Sequence, residues 1–547
     1  MRWIRRRPIL PDALPKVVGA LVLGAFLATG LPAAGVPAAA GAPAAPGVPY
    51  VHGYLSAGPG RWIRDSSGRV VILHGVNAVY KLAPYVVYPD PGHPWNFTDA
   101  QAATMARLGF TVVRLGILWR GLEPGTAGPN DPAICAKGAP GDPGQWDPAV
   151  AERYLDKVAA TVAILGRHHI YTLLDMHQDV YSNPFTGEGA PLWAICTGGR
   201  PIEPVAGRWS NNYGDPALDA AFANFWTNDV AGDLQGEYDR AWAAVAARFA
   251  SDPWVAGYDP FNEPFTRTIA LIPPDGIDLR LECFYTGTAA PDVVNGVRLT
   301  CPPGDPAQGL IPIIRAVDPR HLIFREPTIF SQHGQPNYVG PIDQPNLVLN
   351  FHDYCGYRSG VTGNPYDLPA CIAQEVRSVR QRLAEAPTDA VAAEPAGLPV
   401  FLSEFGATQS VALVRAITSV ADRALIGWSY WSWKYYDDPT GSSAEAMVSD
   451  DGRLRPIAGA LSETYPTAVA GTPRVIAFRP RRGLTLDYVA DPAVRAPTLV
   501  WAGQHPYCAT TSAGRIVSDP GAAVVEVAGP SRAGPVRVTV APGPCPG

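Results

Sequence analysis

Two glutamates each close an apolar run in this chain: Glu263 in Asp259-Pro260-Phe261-Asn262-Glu263-Pro264, and Glu404 in Phe401-Leu402-Ser403-Glu404-Phe405-Gly406. A carboxylate that ends a buried strand is poorly solvated and needs a reason to be there. Two of them facing one pocket are the minimal equipment for cleaving a glycosidic bond. A separation of about 5 Å gives retention of the anomeric configuration, whereas a wider gap admits a water and gives inversion. We expect the short gap and double displacement. Glu404 is then the ionised nucleophile, and Glu263 the acid and afterwards the base, which requires a raised pKa. For either glutamate taken alone, an ion pair with a nearby arginine is the competing reading.

Other residues would serve such a site. Arg114 lies inside Val112-Val113-Arg114-Leu115-Gly116, and a buried arginine demands an anion. Glu404, which this pairing would keep ionised, is one candidate; another acid is the alternative. Asn262 could bind a sugar 2-hydroxyl, a contact that strengthens in the transition state. Tyr354 could donate its hydroxyl to Glu404, and His177 and His352 could hold a hydroxyl or orient a carboxylate. Asp179 belongs with them. Lys81 could reach sugar hydroxyls or stand solvated at the surface. Trp431 shares a strand face with Ser429 and Trp433 by the period of two; it offers an indole platform for a sugar ring, against simple core packing. The sequence has no CxxC pair and no HExxH element, so neither a metal nor a cofactor is expected.

These residues need a scaffold that gathers strand ends. Eight short β-rich runs supply one: 71–78, 111–119, 171–179, 255–263, 321–326, 347–354, 400–404 and 425–433. Helical stretches such as 99–108, 149–167, 217–249, 372–383 and 411–421 lie between most of them. The alternation predicts an α/β fold, a (β/α)8 TIM barrel. A doubly wound open sheet would want a Gly-rich phosphate turn after its first strand, and His74-Gly75-Val76-Asn77 is not one. In a barrel the C-terminal strand ends share one face, where active sites sit. His177, Asp179, Asn262, Glu263, His352, Tyr354, Glu404 and Trp431 all fall at such ends. After residue 466 short strand-like runs follow with no helical period, which predicts a small C-terminal β-sandwich. The expected organisation is a signal peptide and Ala/Pro linker in 1–45, a catalytic barrel in 50–466 and the sandwich in 467–547.

The net charge of the 547 residues is −6, with no basic stretch beyond the N-terminus, so nucleic acid is not an expected partner. Arg2, Arg5, Arg6 and Arg7, the apolar run 17–31 and Ala-x-Ala-like sites between Ala33 and Ala45 read as a signal peptide, hence a secreted protein. Eight cysteines follow, an even number that favours disulfides in an exported chain. Proximity suggests Cys283–Cys301, Cys355–Cys371 and Cys508–Cys545, which leaves Cys135–Cys196.

Taken together, Asn262-Glu263-Pro264, Glu404-Phe405-Gly406, Asp175-Met176-His177-Gln178-Asp179, Asn350-Phe351-His352-Asp353-Tyr354 and Tyr80-Lys81 resemble glycoside hydrolase family 5, in its endoglycoceramidase branch. The similarity spans roughly residues 65 to 465. It implies hydrolysis of the β-linkage between an oligosaccharide and ceramide, with glucose and galactose both open as the first sugar. It also implies Glu263 as acid/base and Glu404 as nucleophile, with Arg114, His177, Asp179, Asn262, Tyr354 and Lys81 lining the sugar site. A β-glucanase or other polysaccharide hydrolase on the same barrel is the rival reading, and a non-catalytic carbohydrate- or lipid-binding protein a more distant one. The partner is then a glycolipid or oligosaccharide, acted on by a monomer in transient contact with a membrane or micelle. A ceramide substrate demands a site polar on one side and apolar on the other. Phe185, Trp193, Trp209, Phe284 and Tyr285, in the long segments 181–213 and 265–300, could build an apolar groove or pack on the barrel.

Overall fold

Eight parallel strands close into a barrel in the computed structural model of the chain. The structure describes residues 50–545 apart from 59, 267–278, 288–291, 295–296, 300–308, 334–335, 338, 340–341, 355–366 and 387–396. The barrel strands are β1 (His74–Ala78), β2 (Val112–Ile117), β3 (Tyr171–Met176), β4 (Val255–Asp259), β5 (Leu322–Arg325), β6 (Leu347–Asp353), β7 (Val400–Gly406) and β8 (Gly427–Trp431). Each sits in one of the eight expected runs, β7 extending two residues past its run. Nearly every residue of these strands is buried, because side chains on one face fill the barrel and those on the other meet the surrounding helices. The strand β4 stops at Asp259, so Glu263 lies four residues beyond it rather than on the strand.

The helices form where their caps allow. Asp147 accepts from the backbone N–H of Ala149 and Val150 and starts Pro148–Arg167 with proline in the first turn. The expected helical stretch 217–249 is two helices, Pro216–Thr227 and Leu234–Phe249. Asn228 turns left-handed (φ +45°) and ends the first, and Asp233 (φ +44°) accepts from Gly236 N–H to start the second.

Two antiparallel sheets make the sandwich, and one of them reaches outside residues 467–547. It orders Ser56–Gly58, Trp62–Arg64, Val70–Val71, Tyr465–Val469, Thr498–Trp501, Val524–Ala528 and Arg515–Ile516. Three of its strands thus precede the barrel, and a fourth straddles residue 466. The other sheet holds Gly471–Arg479, Gly483–Ala490, Gly534–Pro542 and Tyr507–Thr511. The first sheet uses both faces by the period of two. Val70, Val469, Val500, Val525 and Val527 pack inside the sandwich with Ile476, Leu486 and Val538. Val71, Ala468 and Leu499 pack instead under the barrel against Leu73, Val112, Leu173, Leu322, Val348 and Phe401.

Cys508–Cys545, expected from proximity, and Cys135–Cys196, the pair left over, are both disulfides. Cys283 and Cys371 are disulfide-bonded as well; the expected pairs Cys283–Cys301 and Cys355–Cys371 each include a residue outside the described ones.

Candidate active site

A cavity of about 550 Å³ opens at the C-terminal ends of the strands, lined among others by Lys81, His177, Asp179, Glu263, Tyr354, Glu404 and Trp431. Seven of the ten residues singled out from the sequence therefore border one space. Arg114, Asn262 and His352 stand directly behind it, fully buried.

The two glutamates meet there. Glu263, His352 and Glu404 each present a polar atom, and these atoms lie within 4.8 Å of one another. That matches the separation of a retaining pair, about 5 Å. Glu263 gets there by a backbone turn with φ +46°, a left-handed conformation costing on the order of 1–3 kcal/mol in a non-glycine residue. Gln178 fastens this turn, donating to the carbonyls of Asn262 (3.0 Å) and Glu263 (3.1 Å), while Asn262 Nδ2 donates back to Gln178 O at 2.9 Å. Glu404 is carried on β7 beside His352 of β6, with which it is in register across a bulge. Just beyond it, Gly406 (φ +99°) passes Tyr430 so closely that a Cβ would come within 2.4 Å of the ring.

Arg114 organises the floor of the site. Asp175 of β3 and Asp259 of β4 are register partners, and like charges directly opposite repel. Arg114 reaches across from β2 and donates to both at 2.9 Å. It also donates to Asn262 Oδ1 at 2.8 Å and Asn77 Oδ1 at 3.2 Å, and makes a short contact with Glu404 Oε1. Both readings of its partner hold at once: the nucleophile candidate and further acids share one guanidinium. Tyr354 donates to the other oxygen, Glu404 Oε2, at 2.7 Å. Glu404 is thus fixed by a cation on one oxygen and a phenol on the other.

Glu263 has a different environment. Burial first, and the Asp179 charge after it, push its carboxyl up to about 8. His352 is taken the other way by burial, down to about 3, so it is neutral. Its Nδ1 lies 2.8 Å from Glu263 Oε1, and Gln332 Nε2 donates to the same oxygen. Gln332 thus occupies Oε1 as a donor, and His352 Nδ1 donates or accepts there according to its tautomer.

Lys81 is buried, which removes its solvated alternative. It donates to Asp179 Oδ2 (2.5 Å) and Thr440 Oγ1 (2.7 Å), and pairs with Asp438 at 3.0 Å. Burial works against the Asp179 charge, but Lys81 and His177 outweigh it and hold Asp179 well below the usual carboxylate range. Burial likewise disfavours His177⁺; the Asp175 charge and hydrogen bond, with Asp179, overcome it and raise the imidazole to about 9. His177 stacks on Trp431 at 5.4 Å, and Lys81 lies 4.7 Å from the same ring. Trp431 lines the cavity, with its Nε1 donating to Glu445 at 3.1 Å. Trp433 is set apart from it: β8 ends at Trp431, and Trp433 is buried against Gln101.

Beside this polar group runs an aromatic wall of Trp209, Tyr213, Phe265 and Phe330, in consecutive ring contacts of 6.3, 4.8 and 5.8 Å. Of the five aromatics expected for an apolar groove, only Trp209 lines the cavity. Phe185, Trp193, Phe284 and Tyr285 are core residues. Gln332, Gln178, Glu326 and Glu445 were not singled out from the sequence. Glu326 carried the same strand-end signal as Glu404, at the close of run 321–326. Gln332 sits in a short helical turn, Ile329–His333, with no periodic signal to mark it.

Known proteins resemble this chain in sequence and fold. The family Cellulase (glycosyl hydrolase family 5) matches residues 80–437. Endoglycoceramidase I of Rhodococcus hoagii (strain 103S) is 29% identical over 497 residues, covering 88% of this chain and 87% of that protein. The structure of endo-glycoceramidase II from Rhodococcus sp. in a ganglioside GM3 complex has a TM-score of 0.69 at 26% identity, covering 88% of this chain and 99% of that one. The same enzyme as a lactosyl-enzyme intermediate has a TM-score of 0.66 at 27% identity, covering 88% and 100%.

Proposed function

Since this chain belongs to glycosyl hydrolase family 5, we propose that it is a retaining endoglycoceramidase, which cleaves the β-glycosidic bond between oligosaccharide and ceramide in glycosphingolipids. The observation that carries the reading is the glutamate pair, 4.8 Å or less apart, in a cavity that also holds an aromatic wall. In the first step Glu404 attacks the anomeric carbon as the bond to the ceramide oxygen breaks, and Glu263 gives its proton to that oxygen. Ceramide leaves, and the sugar is held on Glu404 as an ester. In the second step Glu263, now a carboxylate, takes a proton from water; the hydroxide displaces Glu404 and the oligosaccharide is released with its configuration retained. Arg114 and Tyr354 hold the nucleophile during attack and receive charge back as it departs. The relatives' names support the lipid substrate, since they comprise an endoglycoceramidase and one solved with a ganglioside.

The aromatic wall suits the ceramide end, and exposed Arg208 beside Trp209 at the cavity rim suits transient contact with a micelle or membrane. Among the described residues, no helix is long and apolar enough to cross a membrane. The N-terminal pattern supports export, which fractionation of a tagged full-length chain tests. Mass analysis of the products from a panel of glycosphingolipids with glucose or galactose as first sugar, beside a soluble β-glucan, tests the activity. Intact oligosaccharide released only from lipid supports the reading; cleavage only of the glucan overturns it.

A further inference from the structure

Two buried groups next to the glutamate pair are not used by the mechanism above. One is His352 Nε2, which makes no hydrogen bond among the described residues. The other is Glu326, on the segment just past β5, whose Oε2 is likewise without a hydrogen bond. They face each other: Glu326 Oε1 stands 3.4 Å from His352 Nε2. An orphaned acceptor in the interior costs about 1–3 kcal/mol, and a proton on Glu326 Oε1, the oxygen that faces His352, would give Nε2 the partner it lacks.

The surroundings place that proton on Glu326. Burial, and then the charge of Asp259, raise its carboxyl well above the ordinary range; Arg114 Nη2, 3.7 Å away, opposes this and does not prevail. Asp259 is the better anion of the two, because it accepts from Arg114 at 2.9 Å and from Asn350 at 2.7 Å. A neutral imidazole has one N–H and one lone pair. If Nε2 accepts, the N–H must be on Nδ1, which faces Glu263 Oε1.

We propose that Glu326 is a positioning residue for the acid step: its carboxylic acid donates to His352 Nε2, and so fixes the tautomer whose Nδ1–H occupies Glu263 Oε1 and keeps the acidic proton on Oε2, toward the substrate. In the opposite tautomer Nδ1 is an acceptor. It would draw the Glu263 proton onto Oε1 and away from the leaving oxygen. The inference rests on Glu263 being the acid/base.

The test compares kcat/KM, which reports the bond-breaking step, on an alkyl β-lactoside and on a dinitrophenyl β-lactoside, whose leaving group needs no proton. Glu326→Leu is expected to lose about 10- to 100-fold on the alkyl substrate, part of the 10²–10⁴ typical of general acid catalysis, and to stay within about threefold on the activated one. Glu326→Gln, whose amide can still donate to Nε2, is expected to stay within about threefold on both. Equal losses on both substrates, no loss in Glu326→Leu, or a Glu326→Gln variant as impaired as Glu326→Leu overturns the proposal. Should Glu326→Leu not fold, ¹⁵N NMR of histidine-labelled wild type decides: His352 protonated on Nδ1 is expected, and protonation on Nε2 overturns it. Glu263→Ala separates the two levels. It must spare the dinitrophenyl substrate and lose the alkyl one; if it does not, the reading of Glu263 fails, whatever Glu326 does.

Discussion

Replacing Glu263 by glutamine removes a titration that the fold has displaced, and the displacement is measurable as stability. Burial and the Asp179 charge take the carboxyl from an ordinary 4.5 up to about 8. At about 1.36 kcal/mol for each tenfold change in proton affinity, this amounts to roughly 5 kcal/mol. The unfolded chain releases the proton near pH 4.5, whereas the folded chain keeps it to about pH 8. The contribution of Glu263 is therefore fully present below pH 4.5 and is lost as pH rises through 8. Glutamine titrates in neither state, and its carbonyl still accepts from His352 and Gln332. The two proteins should unfold alike near pH 4, and Glu263→Gln should gain on wild type with rising pH, by up to roughly 5 kcal/mol above pH 8. Urea midpoints taken across pH 4 to 9 measure the difference. A difference that does not change with pH refutes the argument that burial loads this carboxyl with a proton. The wild-type kcat/KM should also fall above about pH 8, as the acid form disappears.

Glu404→Gly should abolish turnover, and azide should restore cleavage of an activated glycoside with formation of the α-glycosyl azide; product of β configuration would contradict the assigned nucleophile. Tyr354→Phe removes a 2.7 Å hydrogen bond to Glu404, worth about 1.5–3 kcal/mol when one partner is charged, so kcat should fall about 10- to 100-fold, and an unchanged kcat would speak against its role. Cys508→Ser opens a crosslink that closes 37 residues, a loop worth about 4 kcal/mol of chain entropy; urea unfolding of the variant should show the sandwich destabilised by that order, and an unshifted midpoint would refute it.

The barrel was legible because each strand is an apolar run ending in a polar residue, and that repeated pattern also located most of the site. His177, His352, Tyr354 and Glu404 could be placed from it without any contact being known. What resisted reading depends on cross-chain geometry. Arg114 signalled a need for an anion, but its sharing among Asp175, Asp259 and Glu404 comes from strand register. Lys81 could not be told from a surface lysine because Asp438 and Thr440, its partners, are far off in sequence. The aromatic wall stayed open between groove and core, since nothing local separates Trp209 in the cavity from Trp193 in the core. The strands in 56–71 are two or three residues long, too short to show a period.

Those three short strands have a consequence for how the molecule can be taken apart. Val70–Val71 pair with Tyr465–Val469, so the chain enters and leaves the barrel through one shared buckle. Cutting after residue 466 would therefore undo the clasp and bare the barrel's underside, rather than release a pendant module. Any exchange of this layer between hydrolases, by evolution or by a protein engineer, has to move two distant stretches of gene together.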